Sequence, residues 1–184
     1  MYNSAKAAQI IAYLALKTGT RSINILKAIK LVYISDREAL KRFAMPMLDE
    51  PRASLPHGPV NSWTYDNAKG EVEDANWSTI LEDRANHMIG VKPGIVVNAL
   101  DELSDAEVDV LDNVWEQFGG MTQWQLVDWT HKSDNIPEWE DPNGSSNPIP
   151  LERLLYAVGI ENVAEHAQFL RDQASITKLL AELA

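Results

Sequence analysis

The side chains best suited to chemistry in this sequence are its histidines and a few carboxylates. The histidines His57, His87, His131 and His166 stand far apart, and none has a second histidine four residues away, as a helical zinc site requires. The chain has no cysteine, which excludes disulfides and thiolate chemistry. It also lacks a P-loop, a dinucleotide fingerprint and a Gly-x-Ser-x-Gly sequence. One catalytic hypothesis stays open, a metal-dependent hydrolase in which the fold brings His57, His131 and Asp36 together.

Asp36 and Arg37 lie in a segment that is predicted to be helical from about residue 24 to residue 43. Its stripe advances in steps of three and four residues: Leu26, Ile29 and Tyr33 come first, the charged turn at Asp36 and Arg37 follows, and Leu40 and Phe43 complete it. Asp36 falls on or beside this stripe, where a charge is costly unless it is paired. We expect an ion pair to a neighbouring basic side chain, and the alternative is a functional carboxylate facing a cleft.

The remaining elements are predominantly helical. Apolar spacing and capping residues predict further helices at about residues 4–18, 60–69, 104–118, 122–130, 150–158 and 161–183. A short strand is predicted around residues 53–55, at the end of a proline-containing loop. One or two more are predicted within 86–97, where β-branched residues surround Pro93-Gly94. The sequence therefore predicts a single mainly α domain (α+β with a minor two- or three-stranded β element) of about six to eight helices.

The segment His57-Gly58-Pro59-Val60 predicts a rigid turn. Gly58 can adopt backbone angles closed to other residues, and Pro59 fixes its own φ angle and keeps the preceding residue out of the helical region. We expect this turn to start the helix at 60–69, with Pro59 near its first position.

Charge is distributed unevenly along the chain. The formal net charge is −11, yet residues 1–42 carry eight basic and two acidic side chains, a net of +6, which leaves −17 for residues 43–184. A solvated helical face, a basic surface for an anionic partner and a match to an acidic part of the same fold all fit this pattern. Residues 18–40 also resemble a helix-turn-helix, so a DNA-binding regulator is one alternative, which the global charge disfavours.

Composition and localisation signals point to the cytoplasm. No apolar run approaches the roughly 18 residues needed to span a membrane. The first residues lack the basic start and apolar core of a signal peptide. We therefore expect a cytoplasmic protein without a membrane partner.

Tryptophan is abundant, with six residues in 184. Tryptophan is enriched at interface hot spots because it buries a large area with little loss of conformational entropy. Trp63 and Trp139 stand in the most polar surroundings, and they are the strongest candidates for a binding surface, whereas core packing explains most of the others.

Several motifs in order resemble the Panacea domain, the SocA-like family of antitoxins and phage-associated proteins. They are Leu26-Lys27-Ala28-Ile29-Lys30-Leu31-Val32-Tyr33-Ile34-Ser35-Asp36-Arg37, His57-Gly58-Pro59-Val60, Leu103-Ser104-Asp105-Ala106-Glu107, Phe118-Gly119, Leu126-Val127-Asp128-Trp129-Thr130-His131 and Trp139. The resemblance extends over residues 5–157, and Ala44 stands where the family commonly has glycine. Residues 158–184 form a helical extension outside the pattern.

The resemblance implies an antitoxin that neutralises a cognate toxin by direct protein contact. Some members of the family act instead as adaptors that hand the toxin to a cellular protease. The resemblance implies no enzyme activity, no cofactor and no metal. It implies no nucleic-acid partner other than DNA bound for autoregulation. The residues expected to form or support the partner surface are Asp36, Arg37, His57, Gly58, Pro59, Trp63, His131 and Trp139. His57, Gly58 and Pro59 are equally explained by a purely architectural turn.

The C-terminal extension carries a narrow apolar stripe. Ile176, Leu179, Leu180 and Leu183 share one helical face. An exposed stripe of this kind is unfavourable in water, so we expect it to pack on the body of the domain or on a second copy of the chain.

Overall fold

The computed structural model describes residues 2–183 and is mainly helical. Eight α-helices occur within these residues: α1 (Ser4–Lys17), α2 (Ile25–Phe43), α3 (Ser62–Ala68), α4 (Ala75–Ile80), α5 (Asp105–Phe118), α6 (Gln123–Thr130), α7 (Leu151–Ala157) and α8 (Val163–Glu182). A short 3₁₀ turn spans Val97–Ala99. The prediction of a mainly α domain with a minor β element is confirmed.

The strands form two small antiparallel sheets. Their bounds are β1 (Ser22–Asn24), β2 (Arg52–Leu55), β3 (Gly58–Asn61), β4 (Leu81–Arg84), β5 (Met88–Val91) and β6 (Asn147–Ile149). One sheet has the order β1-β5-β4 and the other the order β3-β2-β6. In the second sheet Leu55 pairs with Gly58 and Arg52 pairs with Asn61, so β2 and β3 form a hairpin.

Helix α2 is the centre of the domain. Every residue from Ala28 to Asp36 is buried, because α1, α5 and α6 and the β2–β3 hairpin all pack around it. Asn24 caps its N-terminus by accepting a hydrogen bond from the backbone N–H of Lys27. At its C-terminus Ala44 adopts the left-handed conformation with φ of 55°, which is the conformation that glycine usually supplies at this position.

Two predicted features of the hairpin region are wrong. Residues 58–61 are not the start of a helix, because they pair with β2 as strand β3, and α3 begins only at Ser62. Pro59 therefore lies inside a strand. It stands in β3, an edge strand of its sheet, where the missing N–H of proline is tolerated.

The C-terminal helix α8 is only partly packed on the body. Ala167 and Leu170 are buried in a cluster with Tyr33, Leu154 and Val158. The predicted stripe of Ile176, Leu179, Leu180 and Leu183 is exposed on the single chain. At about 100° per residue most of this stripe is directed away from Leu170, and its exposure shows that it does not pack on the body.

Helix length and hydropathy also bear on membrane insertion. Among residues 2–183 no helix combines the length and the apolar character that crossing a bilayer requires.

Candidate functional site

The β2–β3 hairpin ends in a tight turn that is fixed by glycine. Pro56 and His57 connect the strands, and Gly58 follows with φ of +94°, a region that L-residues rarely adopt. A Cβ atom on Gly58 would lie 2.5 Å from the Thr130 Oγ1 atom. The turn therefore sits directly against the end of α6, and only glycine fits there.

Lys30 of α2 lies beneath this turn. Its side chain is fully buried, and its Nζ atom donates a hydrogen bond of 2.7 Å to the Pro59 carbonyl oxygen. No carboxylate among the described residues forms an ion pair with it. Burial lowers the pKa of Lys30 from 10.5 to about 7, because the apolar surroundings disfavour the ammonium form.

Two histidines and two tryptophans surround the turn. The ring of His57 meets the ring of Trp124 edge to face at 5.6 Å, and the ring of His131 stacks against that of Trp139 at 4.4 Å. The indole N–H of Trp139 donates a hydrogen bond of 3.2 Å to the Leu55 carbonyl oxygen. We call His57, Trp124, His131 and Trp139 the hairpin face.

The hairpin face combines exposed rings with rigid backing. Trp124 is 55% exposed and His57 is exposed, whereas His131 and Trp139 are half-buried. Burial, followed by the charges of Lys30 and His57, lowers the pKa of His131, so its imidazole is neutral at pH 7. The exposed aromatic surface therefore rests on a layer of fixed side chains.

Asp36 takes part in a buried ion pair, as the first of the two alternatives predicted. Its Oδ2 atom accepts hydrogen bonds from the Arg52 guanidinium at 2.5 and 2.9 Å, and from the Asn61 amide at 3.1 Å. Its Oδ1 atom accepts the backbone N–H of Leu48 at 3.0 Å. Asp36 thus joins α2 to the loop before β2 and to the hairpin.

A second buried carboxylate continues this network. Glu50 accepts hydrogen bonds from the Thr64 backbone N–H at 2.9 Å and from the Thr64 hydroxyl at 2.6 Å. The pKa of Glu50 is raised to about 7, chiefly by burial and also by the nearby charge of Asp36, against the lowering effects of the Thr64 hydrogen bonds and of Arg52. Glu50 therefore changes its protonation near neutral pH.

Arg37 points to a different partner from its neighbour Asp36. Its Nε atom donates a hydrogen bond of 2.8 Å to the Oε1 atom of Glu138, which also accepts the hydroxyl of Tyr33 at 2.9 Å. Glu138 is fully buried and directly precedes Trp139. Arg37 thereby holds the loop that supplies one side of the hairpin face.

Trp63 lies away from the other predicted residues. It follows the end of β3 that is remote from the turn, and its ring meets that of Tyr2 edge to face at 5.4 Å. Its side chain is 43% exposed. The structure therefore brings His57, Gly58, Pro59, His131 and Trp139 together and leaves Trp63 at the opposite end of the hairpin.

The geometry does not assemble the proposed hydrolase cluster. His57 and His131 flank the turn, but the carboxylate of Asp36 is directed to Arg52, Leu48 and Asn61. Among the described residues no three histidine, cysteine or carboxylate side chains are placed to hold a metal ion together.

The basic N-terminal segment is largely engaged within the fold. Lys6, Lys17 and Arg37 form ion pairs with Glu107, Asp112 and Glu138, all from the acidic remainder of the chain. Lys27 donates a hydrogen bond to the Gly119 carbonyl oxygen at 2.6 Å, and Arg21 donates to the carbonyl oxygens of Lys92 and Ile95. Of the three explanations of the uneven charge, the structure favours the match to an acidic part of the same fold. Helix α2 is also too deeply buried to enter a DNA groove.

Some important residues were not among those predicted. Trp124 is the most exposed ring of the hairpin face, Lys30 supports the turn, and Arg52, Glu50 and Glu138 complete the buried polar network. Of these residues, only Lys30 could have been singled out from the sequence. It is a charged residue that directly follows Ile29, within the apolar stripe of the helix. The roles of the others depend on contacts between distant segments.

These features define a small helical domain whose most distinctive surface is an aromatic face built on a rigid hairpin. The family model of the antitoxin SocA-like Panacea domain matches residues 29–140. The match covers more than half of the chain, so the protein belongs to this family. No curated protein and no solved structure matches the chain.

Proposed function

We propose that this chain is the antitoxin of a two-gene toxin–antitoxin pair and that it neutralises its toxin by direct protein contact rather than by catalysis. Membership of the SocA-like Panacea family carries the proposal. The hairpin face supplies a suitable surface, because it offers an exposed tryptophan that loses little freedom on binding.

The hairpin face is well prepared for a protein partner. Trp124 projects from α6, whose N-terminus is fixed by a capping box between Thr122 and Gln125. His57 is held by the glycine-dependent turn, and its ring contacts Trp124. A surface that is already ordered spends little conformational entropy on association.

Co-expression with the product of the adjacent gene tests the proposal. We expect a stoichiometric complex and restored growth of cells that express the toxin. Trp124→Ala should weaken the complex at least tenfold, because the substitution removes the most exposed ring of the face. Tyr156→Ala is the matched control, since Tyr156 is 79% exposed on α7 and lies outside the hairpin face. Absence of both the complex and the rescue would contradict the proposal.

The fate of the toxin separates two modes of neutralisation. If the chain masks the toxin, the amount of toxin after translation is stopped should be the same with and without it. If the chain hands the toxin to a cellular protease, the toxin should disappear faster when the chain is present. Immunoblots over time distinguish these modes, and we expect masking because the proposed contact needs no third protein.

A further inference from the structure

A cleft lies at the end of the hairpin that is remote from the turn. It has a volume of about 550 Å³ and is bordered by Tyr2, Glu50, Trp63 and, from α8, Lys178. We call these four residues and the space between them the Trp63 cleft. Asp49, Pro51, Ala174 and Ser175 complete its lining.

The aromatic wall of the cleft is held in place. Tyr2 and Trp63 meet edge to face at 5.4 Å. The Tyr2 hydroxyl lies 3.3 Å from the Thr64 Oγ1 atom and accepts a hydrogen bond of 3.4 Å from the Asn67 amide. An aromatic ring that is fixed and partly exposed can receive a cation over its face.

The buried carboxylate of the cleft is Glu50, which is 6% exposed. Its Oε2 atom accepts one hydrogen bond, from the Thr64 backbone N–H. A carboxylate oxygen has two lone pairs, so Oε2 retains acceptor capacity for a further donor. A buried carboxylate attracts a cation more strongly than an exposed carboxylate does, because water screens the two charges less.

The charge around the cleft also favours a cation. Asp49 and Glu50 contribute two carboxylates to the lining, and Lys178 contributes one ammonium group. Lys178 is 68% exposed, and its Nζ atom is 4.0 Å from Glu182, so it borders the cleft without filling it. Residues 43–184 as a whole carry −17, a field that attracts basic partners.

We infer that the Trp63 cleft is a binding site for an arginine side chain presented by the partner protein. The planar guanidinium stacks on an aromatic ring, and its aliphatic stem fits the apolar part of the lining. One of its N–H groups donates to the Oε2 atom of Glu50, because Oε1 already accepts hydrogen bonds from the Thr64 hydroxyl and the Asn61 amide. The inference rests on the proposed function for the identity of the partner. It adds a second contact point, at the opposite end of the hairpin from the hairpin face.

The distance between the two contact points suits a single partner. Strands β2 and β3 have four residues each, so the hairpin is about 14 Å long. A standard protein interface buries about 800 Å² on each partner, a patch wider than the hairpin. One toxin can therefore reach both ends.

Binding of arginine should depend on pH. The pKa of Glu50 is about 7 because of burial, and a bound guanidinium favours the ionised carboxylate. Asp36, Arg52, Asp49 and Lys178 also face this region, and the Tyr2 hydroxyl stays neutral because burial raises its pKa. Binding should therefore be tighter at pH 8 than at pH 6.

The test uses N-acetyl-arginine amide as the probe and N-acetyl-citrulline amide, which has nearly the same shape without the charge, as the control. The indole N–H signal of Trp63 in NMR spectra is assigned by its loss in Trp63→Phe. We expect a saturable shift of this signal with the arginine probe and at least tenfold weaker binding of the citrulline probe. Glu50→Gln should abolish the pH dependence.

A second variant keeps the test sound if Glu50→Gln disturbs the fold. Lys178 is exposed, so Lys178→Glu should fold normally and should tighten arginine binding at least threefold by reversing a charge at the cleft. Equal shifts with both probes, or arginine binding that Lys178→Glu leaves unchanged, would overturn the inference. The experiment contains no toxin, so its failure is distinct from a failure of the growth rescue.

Discussion

The Nζ atom of Lys30 donates a hydrogen bond to the carbonyl oxygen of Pro59, and this contact joins the central helix to the underside of the hairpin. The lysine is fully buried. A buried ammonium without a carboxylate partner is costly. The hairpin that carries the proposed partner surface is therefore attached to α2 by a contact whose strength depends on protonation.

Replacing Lys30 should change the pH dependence of stability. The pKa of Lys30 is about 7 in the folded protein and 10.5 without burial. Between these values the unfolded chain binds more protons than the folded one, so the free energy of unfolding rises with pH. In Lys30→Met this difference of about one bound proton between the unfolded and the folded chain should be absent between pH 7 and pH 9. The free energy of unfolding should then rise less steeply with pH than in the unaltered chain. Urea unfolding at several pH values measures it, and the exposed Lys132→Met is the control; an unchanged slope in Lys30→Met would contradict the assignment.

Gly58→Ala should destabilise the domain by two separate effects. A non-glycine residue in the left-handed region costs about 1–2 kcal/mol, and the new Cβ would meet the Thr130 Oγ1 atom at 2.5 Å. Gly94→Ala is the matched control, because Gly94 has φ of +86° and open space around a Cβ. We expect Gly58→Ala to lose about 1–3 kcal/mol more than Gly94→Ala. Thermal unfolding measures the stability of both variants. If the double variant Gly58→Ala/Thr130→Ala regains part of the lost stability, that part is due to the clash with the Thr130 side chain.

Asp36→Asn should be among the most destabilising single changes. It leaves the buried guanidinium of Arg52 without its counter-ion, which costs about 3–5 kcal/mol. Glu38→Gln on the same helix removes a partly exposed ion pair with Arg42 and should cost less than about 1 kcal/mol. Denaturant midpoints of the two variants give the comparison. Similar losses in both would show that the Asp36–Arg52 pair contributes no more than a surface pair.

Shortening the chain should separate the two halves of α8. A chain that ends at Gly159 loses Ala167 and Leu170 from the core and should be less stable by about 2–4 kcal/mol. A chain that ends at Ala174 keeps both residues, and the described residues that it loses, 175–183, are all exposed. Its unfolding free energy should therefore change by less than about 1 kcal/mol. Equal stability of the two shortened chains would mean that α8 contributes nothing to the body.

Local sequence signals predicted most of the helices. The capping box of Ser104 and Glu107 is present at the start of α5, where both groups lie close together in the chain. The ion pair of Asp36 was also predictable, since an acid on an apolar face needs a partner. That the partner is Arg52, sixteen residues away, was not predictable, because it depends on how the loop folds back onto α2.

Tertiary pairing explains the main failures. Residues 58–61 are a strand because β2 is available to pair with them, and Pro59 does not begin a helix there. The exposure of Trp124 follows from how α6 packs against the hairpin, and its own neighbours in the sequence do not reveal it. The grouping of His57 with His131, and the separation of both from Asp36, likewise arise only when distant segments meet.

The ion pairs that engage the basic N-terminal helices also have a kinetic consequence. Because Lys6, Lys17 and Arg37 are matched to carboxylates of the same fold, their charge is cancelled locally and the long-range field of the molecule is that of a net anion of −11. Such a field accelerates encounters with a basic protein and slows encounters with nucleic acid. Association with a basic toxin should therefore be fast in dilute buffer and should slow as added salt shortens the reach of the field.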